Sequence, residues 1–269
     1  VRSGRYVPVE PERLVDTRDA GRPSVGGAVT ITPDVPAGAI AVAVNIATSD
    51  SSAPGFFTAH ATGTDLPTAS VLNTDRAGQT RAAAAIVPLS DGAFDVFTQR
   101  GDHVIVDIAG YFTGPDAERS TDGLFVGATP SRLVDTRRGA GPSGGPRLWD
   151  GGERVFEVTA VTGGAVAALA ATVTMTATED AGYVVAGPAR TARSTTSAVN
   201  ADRAQLTVAN AAIVGVSTAG VAFETLDATH LVVDVTGWFT GTPVAATEPQ
   251  PVNVPPGDRR VVVISDSAM

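Results

Sequence analysis

The chain repeats itself. The hexapeptide RLVDTR stands at residues 13–18 and again at 132–137. Downstream, SVLNTDRAGQTRAAAAIVPL (70–89) matches SAVNADRAQLTVANAAIVGV (197–216), and HVIVDIAGYFTG (103–114) matches HLVVDVTGWFTG (230–241), both 127 positions on. The hexapeptides lie 119 apart, so the second copy carries a net eight extra residues. Most of them fall in SGGPRLWDGGERV (143–155), opposite the shorter SVGGAV (24–29). The repeat divides the chain into a first module over 1–114, a polar link over 115–123 and a second module over 124–241. A Pro-rich spacer over 242–257 and a tail over 258–269 follow. Each module has the length of one sandwich domain and needs its own core.

Within a module the hydrophobic period is two. In IAVAVNIAT (40–48), Ile40, Val42, Val44 and Ile46 point one way, while Ala41, Ala43, Asn45 and Ala47 point the other. ATVTMTA (171–177) alternates in the same manner, as a half-buried strand must. AVTIT (28–32), GFFTAH (55–60), AAAAIVPL (82–89), AFDVFT from residue 93 and HVIVDIAG (103–110) also read as strands, separated by turns such as SDG and QRGD. AAAAIV has helical propensity, but its counterpart is VANAAIV followed by Gly215, and both sit among strands. The expected fold is all-β: two tandem β-sandwich modules of seven to nine strands each, Ig-like or jelly-roll in order. The 29 Gly and 18 Pro suit so many turns.

Charge excludes some functions. The net charge is −9, which argues against a nucleic-acid partner, since phosphates demand a basic face. The longest apolar run, GGAVAALAATV (163–173), is far shorter than the ~20 residues of a membrane span. Without Cys there are no disulfides or thiolate metal sites. The 19 basic residues are all Arg, as in proteins from GC-rich genomes.

The duplicated polar residues are the first candidate site. Arg13, Asp16, Arg18, Asn73 and Asp107 recur as Arg132, Asp135, Arg137, Asn200 and Asp234, accompanied by His103 and His230. Asp and Asn oxygens could hold a Ca2+ ion. Alternatively, Arg forks and carboxylates form a network that pins strand register. His103 and Asp107 share a strand face but stand ~13 Å apart at ~3.3 Å per residue, too far to share one ion. Asp107 lies inside the apolar run VIVDIAG, where a carboxylate needs a partner. The structural network is therefore expected, with no metal or cofactor.

Aromatic residues are the second candidate, because sugar-binding sandwiches stack pyranose rings on them beside Asp, Asn and Arg. Trp149 and Asp150 lie in the insertion that module one lacks, and Tyr183 is a further candidate. Loops that differ between equivalent modules are where function is grafted. Tyr111-Phe112 and Trp238-Phe239 are duplicated at a strand end and read as closure of each core.

Two resemblances extend this reading. YVPVEPERLVDTR, SVLNTDRAGQT and VDIAGYFTG, with their second copies, resemble repeat modules of secreted and cell-wall-associated proteins of high-GC Gram-positive bacteria. That resemblance implies an extracellular, non-catalytic accessory unit. VVVISDSAM (261–269) resembles the opening block of SGNH/GDSL-type hydrolases, which places Ser267 on the nucleophile, Asp266 before it and Ser265 where Gly is usual. The family's remaining blocks lie far downstream of its serine, so the catalytic set within this sequence is incomplete. The expectation is a binding module for polysaccharide or cell-wall glycan, placed before an esterase-type domain. A structural spacer or protein-interaction module, and a part of an ester hydrolase using Ser267, are the alternatives. Oligomeric state has no signature in the sequence.

Overall fold

The computed structural model describes residues 4–138, 144–148, 153–192 and 194–247. The first module contains β1 (Tyr6–Asp16), β2 (Gly27–Ile31), β3 (Ala41–Thr48), β4 (Gly55–Ala61), β5 (Leu72–Thr74), β6 (Arg81–Pro88), β7 (Phe94–Thr98) and β8 (Ile105–Phe112). The second repeats the series as β9 (Phe125–Asp135), β10 (Glu153–Phe156), β11 (Ala168–Thr176), β12 (Gly182–Pro188), β13 (Val199–Ala201), β14 (Thr207–Gly215), β15 (Val221–Thr225) and β16 (His230–Phe239). One four-residue helix follows the first hexapeptide, α1 (Thr17–Ala20), and another precedes β11, α2 (Thr159–Thr162). No helix among the described residues is long and apolar enough to cross a membrane.

The strands pair antiparallel throughout, in the orders β1-β8-β3-β6 and β2-β7-β4-β5, then β9-β16-β11-β14 and β10-β15-β12-β13. Nested pairing of first with last and second with next-to-last is jelly-roll order, which resolves the choice between the two sandwich topologies. The alternation in β3 is the core pattern: Val42, Val44 and Ile46 pack with Phe57, Leu72, Phe94 and Val96. Module two fills the same places with Leu169, Ala171, Val173, Val184, Val199, Val221 and Phe223, and adds Met175 where module one has Thr48.

The sequence of β1 does not read as a strand, since Pro8, Pro11, Glu10 and Glu12 break its alternation. It forms because it occupies a sheet edge, where Pro is tolerated, and takes up the misfit in two register shifts, between Pro8 and Glu12 and between Arg13 and Val15.

The outward faces of the sheets β1-β8-β3-β6 and β9-β16-β11-β14 meet each other. Tyr6 is 2% exposed, with its ring 5.3 Å from Phe112 and 4.5 Å from Phe239, and its hydroxyl donates to the Ala109 carbonyl at 2.7 Å. Ala43 and Ala168 complete this small third core. Phe112 and Phe239 therefore close the junction between modules rather than each module's own core, whereas Tyr111 and Trp238 do pack on their own cores. Gly110 makes room for Tyr6, because a Cβ there would stand 2.4 Å from its hydroxyl oxygen.

The link is stitched to both modules. Gly123 donates its N–H to Thr240 O and accepts from Tyr6 N, at a φ of +78° with no space for a side chain. On the far side, Asn210 Nδ2 donates to Asn45 Oδ1 at 2.9 Å, and its Oδ1 accepts from Ala84 N at 3.0 Å. Asn45 Nδ2 in turn donates to Ser197 O, and Arg76 pairs with Asp202.

Tyr6→Ala removes the ring shared by both modules at a cost of about 3–5 kcal/mol. Calorimetry should then resolve two unfolding transitions where the parent shows one.

Candidate functional site

Each residue of the first hexapeptide has a defined place. Leu14 and Val15 pack against the core of module one. Arg13 stands opposite Asp107 in the β1–β8 register, and its guanidinium forks onto the carboxylate, Nε to Oδ1 at 2.8 Å and Nη2 to Oδ2 at 3.3 Å. Its third nitrogen, Nη1, reaches Asp16 Oδ2 at 3.1 Å. Asp16 caps α1 by accepting from Arg18 N, and pairs with the Arg18 side chain. Thr17 is buried and accepts from Val104 N at 2.9 Å, while its Oγ1 lies 3.2 Å from His103 Nδ1.

The second copy repeats this wiring. Arg132 forks onto Asp234 and reaches Asp135, which caps the 3-10 turn Thr136–Arg138 and pairs with Arg137 and Arg138. Thr136 accepts from Leu231 N and lies 3.1 Å from His230 Nδ1. Asn73 and Asn200 do not join the networks. Asn73 donates to Ser70 Oγ, and Asn200 accepts from Ser197 Oγ. Both His residues are held by the hexapeptide threonines rather than by carboxylates.

The copies differ in what covers them. The Asp107 side chain is 4% exposed because the module-two segment after β12 lies over it, with Ser197 N donating to Oδ2 and Ser194 Oγ donating to Pro11 O. The equivalent Asp234 is 35% exposed. Burial pushes the Asp107 carboxyl up from its ordinary value, outweighing the fork from Arg13. The Arg18 side chain holds Asp16 down at about 2, and Arg137 and Arg132 hold Asp135 lower still. Among the described residues no group of three or more His, Asp and Glu converges as a metal site.

Trp149, Asp150 and Ser267 lie outside the described residues. Tyr183 stands half-buried on β12 opposite Asn200. Its module-one counterpart is Phe56, opposite Asn73 on β5. There the sequence reading missed a partner: Phe97 on β7 lies 5.8 Å from Phe56, with rings tilted by 37°. Phe57, Phe94 and Val96 point into the core, so Phe56 and Phe97 occupy the outer face of their sheet. Asp95 lies two residues from Phe97 on that face and accepts from Thr30 and Thr62 through Oδ1. Arg100, just past the end of β7, lies against Gly55 and donates from Nε to Pro54 O. Among the described residues, Asp95 Oδ2, Asn73 Oδ1 and the terminal nitrogens of Arg100 take no protein partner. The signal available in the sequence was an aromatic at the polar phase of two strands, FFT and DVF.

No protein-family model matches this chain, and no curated protein matches it.

Arg13→Met leaves the buried Asp107 without its cation and should cost about 3–5 kcal/mol. Arg132→Met, beside a partly solvated Asp234, should cost less in the same urea titration. Asp16 and Asp135 bind protons less tightly folded than at the ordinary 3.8. The unfolded chain therefore takes up more protons below that value, and stability falls as pH drops from about 4 towards 2. Asp16→Asn should flatten that acid limb when the melting temperature is followed against pH.

Proposed function

We propose that the chain is a non-catalytic accessory unit of an extracellular protein and that it binds a polysaccharide or cell-wall glycan. The observation carrying this reading is the Phe56–Phe97 pair, two half-buried rings on the outer face of their sheet, at strand positions whose phase is otherwise polar. A paired aromatic surface flanked by Asn73 and Asp95 offers a pyranose ring both an apolar face and hydrogen-bonding groups for its hydroxyls. The non-catalytic part rests on the hydrogen bonding. His103 and His230 each meet a hexapeptide threonine whose hydroxyl is buried and accepts from a strand N–H, Val104 N or Leu231 N, and His60 faces Ala61 O and Thr64 Oγ1, so the histidines serve the turns they lie in. An ester-hydrolase role through Ser267, the alternative reading, would rest on the tail and not on the two modules.

A second reading, a protein-interaction module, draws on the exposed run Leu124 (47%), Phe125 (56%) and Val126 (37%) next to the link.

Calorimetric titration against a polysaccharide panel tests the glycan reading. Binding should weaken at least ~10-fold in Phe97→Ala with the melting temperature unchanged. Absence of heat with every wall glycan and plant polymer would sink the proposal. Binding kept in Phe97→Ala but lost in Trp149→Ala would move the glycan site to the inserted loop of module two.

A further inference from the structure

The two modules do not close flush. Between the Tyr6–Phe239 cluster and the Asn45–Asn210 bonds lies a cleft of about 340 Å³. Its walls are the same positions of the two copies: Ala43, Ala84 and Ile86 of module one face Ala170, Ala211 and Ile213 of module two. Stacked sheets stand ~10 Å apart, a spacing that longer apolar side chains fill and facing methyl groups do not. The result is a slot about one side-chain layer thick, held open at both ends by contacts that do not depend on its contents.

The polar groups at the walls are already engaged. Both oxygens of Asp107 are taken by Arg13 and Ser197 N, both side-chain ends of Asn45 by Asn210 and Ser197, and Thr236 Oγ1 donates to Ala170 O. Thr172 differs: among the described residues its hydroxyl takes no partner, and it replaces the Asn45 of module one at the cleft. Among the described residues no cation lines the slot, so an anionic chain end has no counter-charge there, and the carboxylate of Asp107 opposes one. The volume falls in the ~300–1,000 Å³ range of small-molecule pockets, at the domain junction where such pockets concentrate.

The geometry points to a binding site for a neutral molecule with an alkyl chain and a single hydroxyl-type head, the chain lying between the alanine walls and the head meeting Thr172 Oγ1. This site is separate from the aromatic face of module one and does not depend on glycan binding.

Fluorescence titration with N-phenyl-1-naphthylamine, a neutral probe of apolar cavities, followed by competition with 1-decanol, tests it. One saturable site per chain, emptied by decanol, is expected. Ala211→Phe should weaken probe binding at least ~10-fold while the melting temperature holds. Ile86 is 59% exposed, so Ile86→Trp fills the slot from a position that folding tolerates and serves if Ala211→Phe does not fold. Thr172→Val should keep probe binding and weaken decanol competition. Phe97→Ala and Phe125→Ser should leave both unchanged. Three outcomes would overturn the site: no saturable signal, parent-like binding in both filled variants, or loss of the signal in Phe97→Ala or Phe125→Ser. Displacement by decanoate but not by decanol would overturn its neutral character.

Discussion

A carboxylate in an interior row of a strand can be kept only if a fixed cation meets it, because its desolvation is not recovered by packing. Asp107 sits between Val106 and Ile108 near the middle of β8, and Arg13 is the cation. Much else in the module follows from that pair. To bring Arg13 opposite Asp107, β1 must shift register on either side of it, and the strand is at an edge where those shifts disturb only one neighbour. The third nitrogen of Arg13 fixes Asp16, Asp16 caps the turn that ends β1, and the threonine after it ties that turn to the start of β8. RLVDTR is thus a connector between the first and last strands of a jelly roll. A fold that joins its termini side by side needs such a connector once per copy, and the chain has it twice.

Covering one copy and leaving the other open makes the two modules unequal. Tyr6 and Phe125 hold equivalent positions, yet Tyr6 is buried at the junction and Phe125 is 56% exposed. Asn45 and Asn210, which bind the modules together, correspond to Thr172 and Ala83, so neither bond can form in the reciprocal direction. The junction is therefore specified by a few substitutions on otherwise matching surfaces. Most of the shared face stays Ala-rich, which permits close approach of two sheets without filling the space between them.

How much of this could be read in the sequence depends on how local each cause is. The strand alternation, the two modules and the Arg–Asp partnership are encoded within or between duplicated blocks, and they were legible there. β1 was hidden because prolines and charges obscure a strand whose reason to exist is its partner β8. The outward alanines of β3 and β6 look like ordinary solvent-facing residues until another sheet is placed on them. Phe56 and Phe97 are 41 positions apart and become neighbours only through the register that pairs Thr58 with Phe97. Asn73 and Asn200 illustrate the opposite error. Duplication made them look like network members, but each bonds a serine three residues earlier and serves its own turn.

Duplication therefore does not by itself pick out the surfaces proposed for ligands: the Arg–Asp forks are duplicated, and so are the alanine walls of the cleft. Duplication preserves what both copies must do to fold: fork Arg onto Asp, cap the turn, and leave a glycine where an aromatic ring crosses β8 or β16. It cannot by itself mark a ligand site, because a site shared by both copies would need both to be equally accessible, and the junction prevents that. The positions free to specialise are those where the copies disagree and the backbone is already fixed by the shared framework. Phe97 against Glu224 on the outer sheets and Asn45 against Thr172 at the cleft are of this kind. In each pair the strand, register and direction are the same, so the change in side chain alters the surface chemistry and leaves the scaffold as it was.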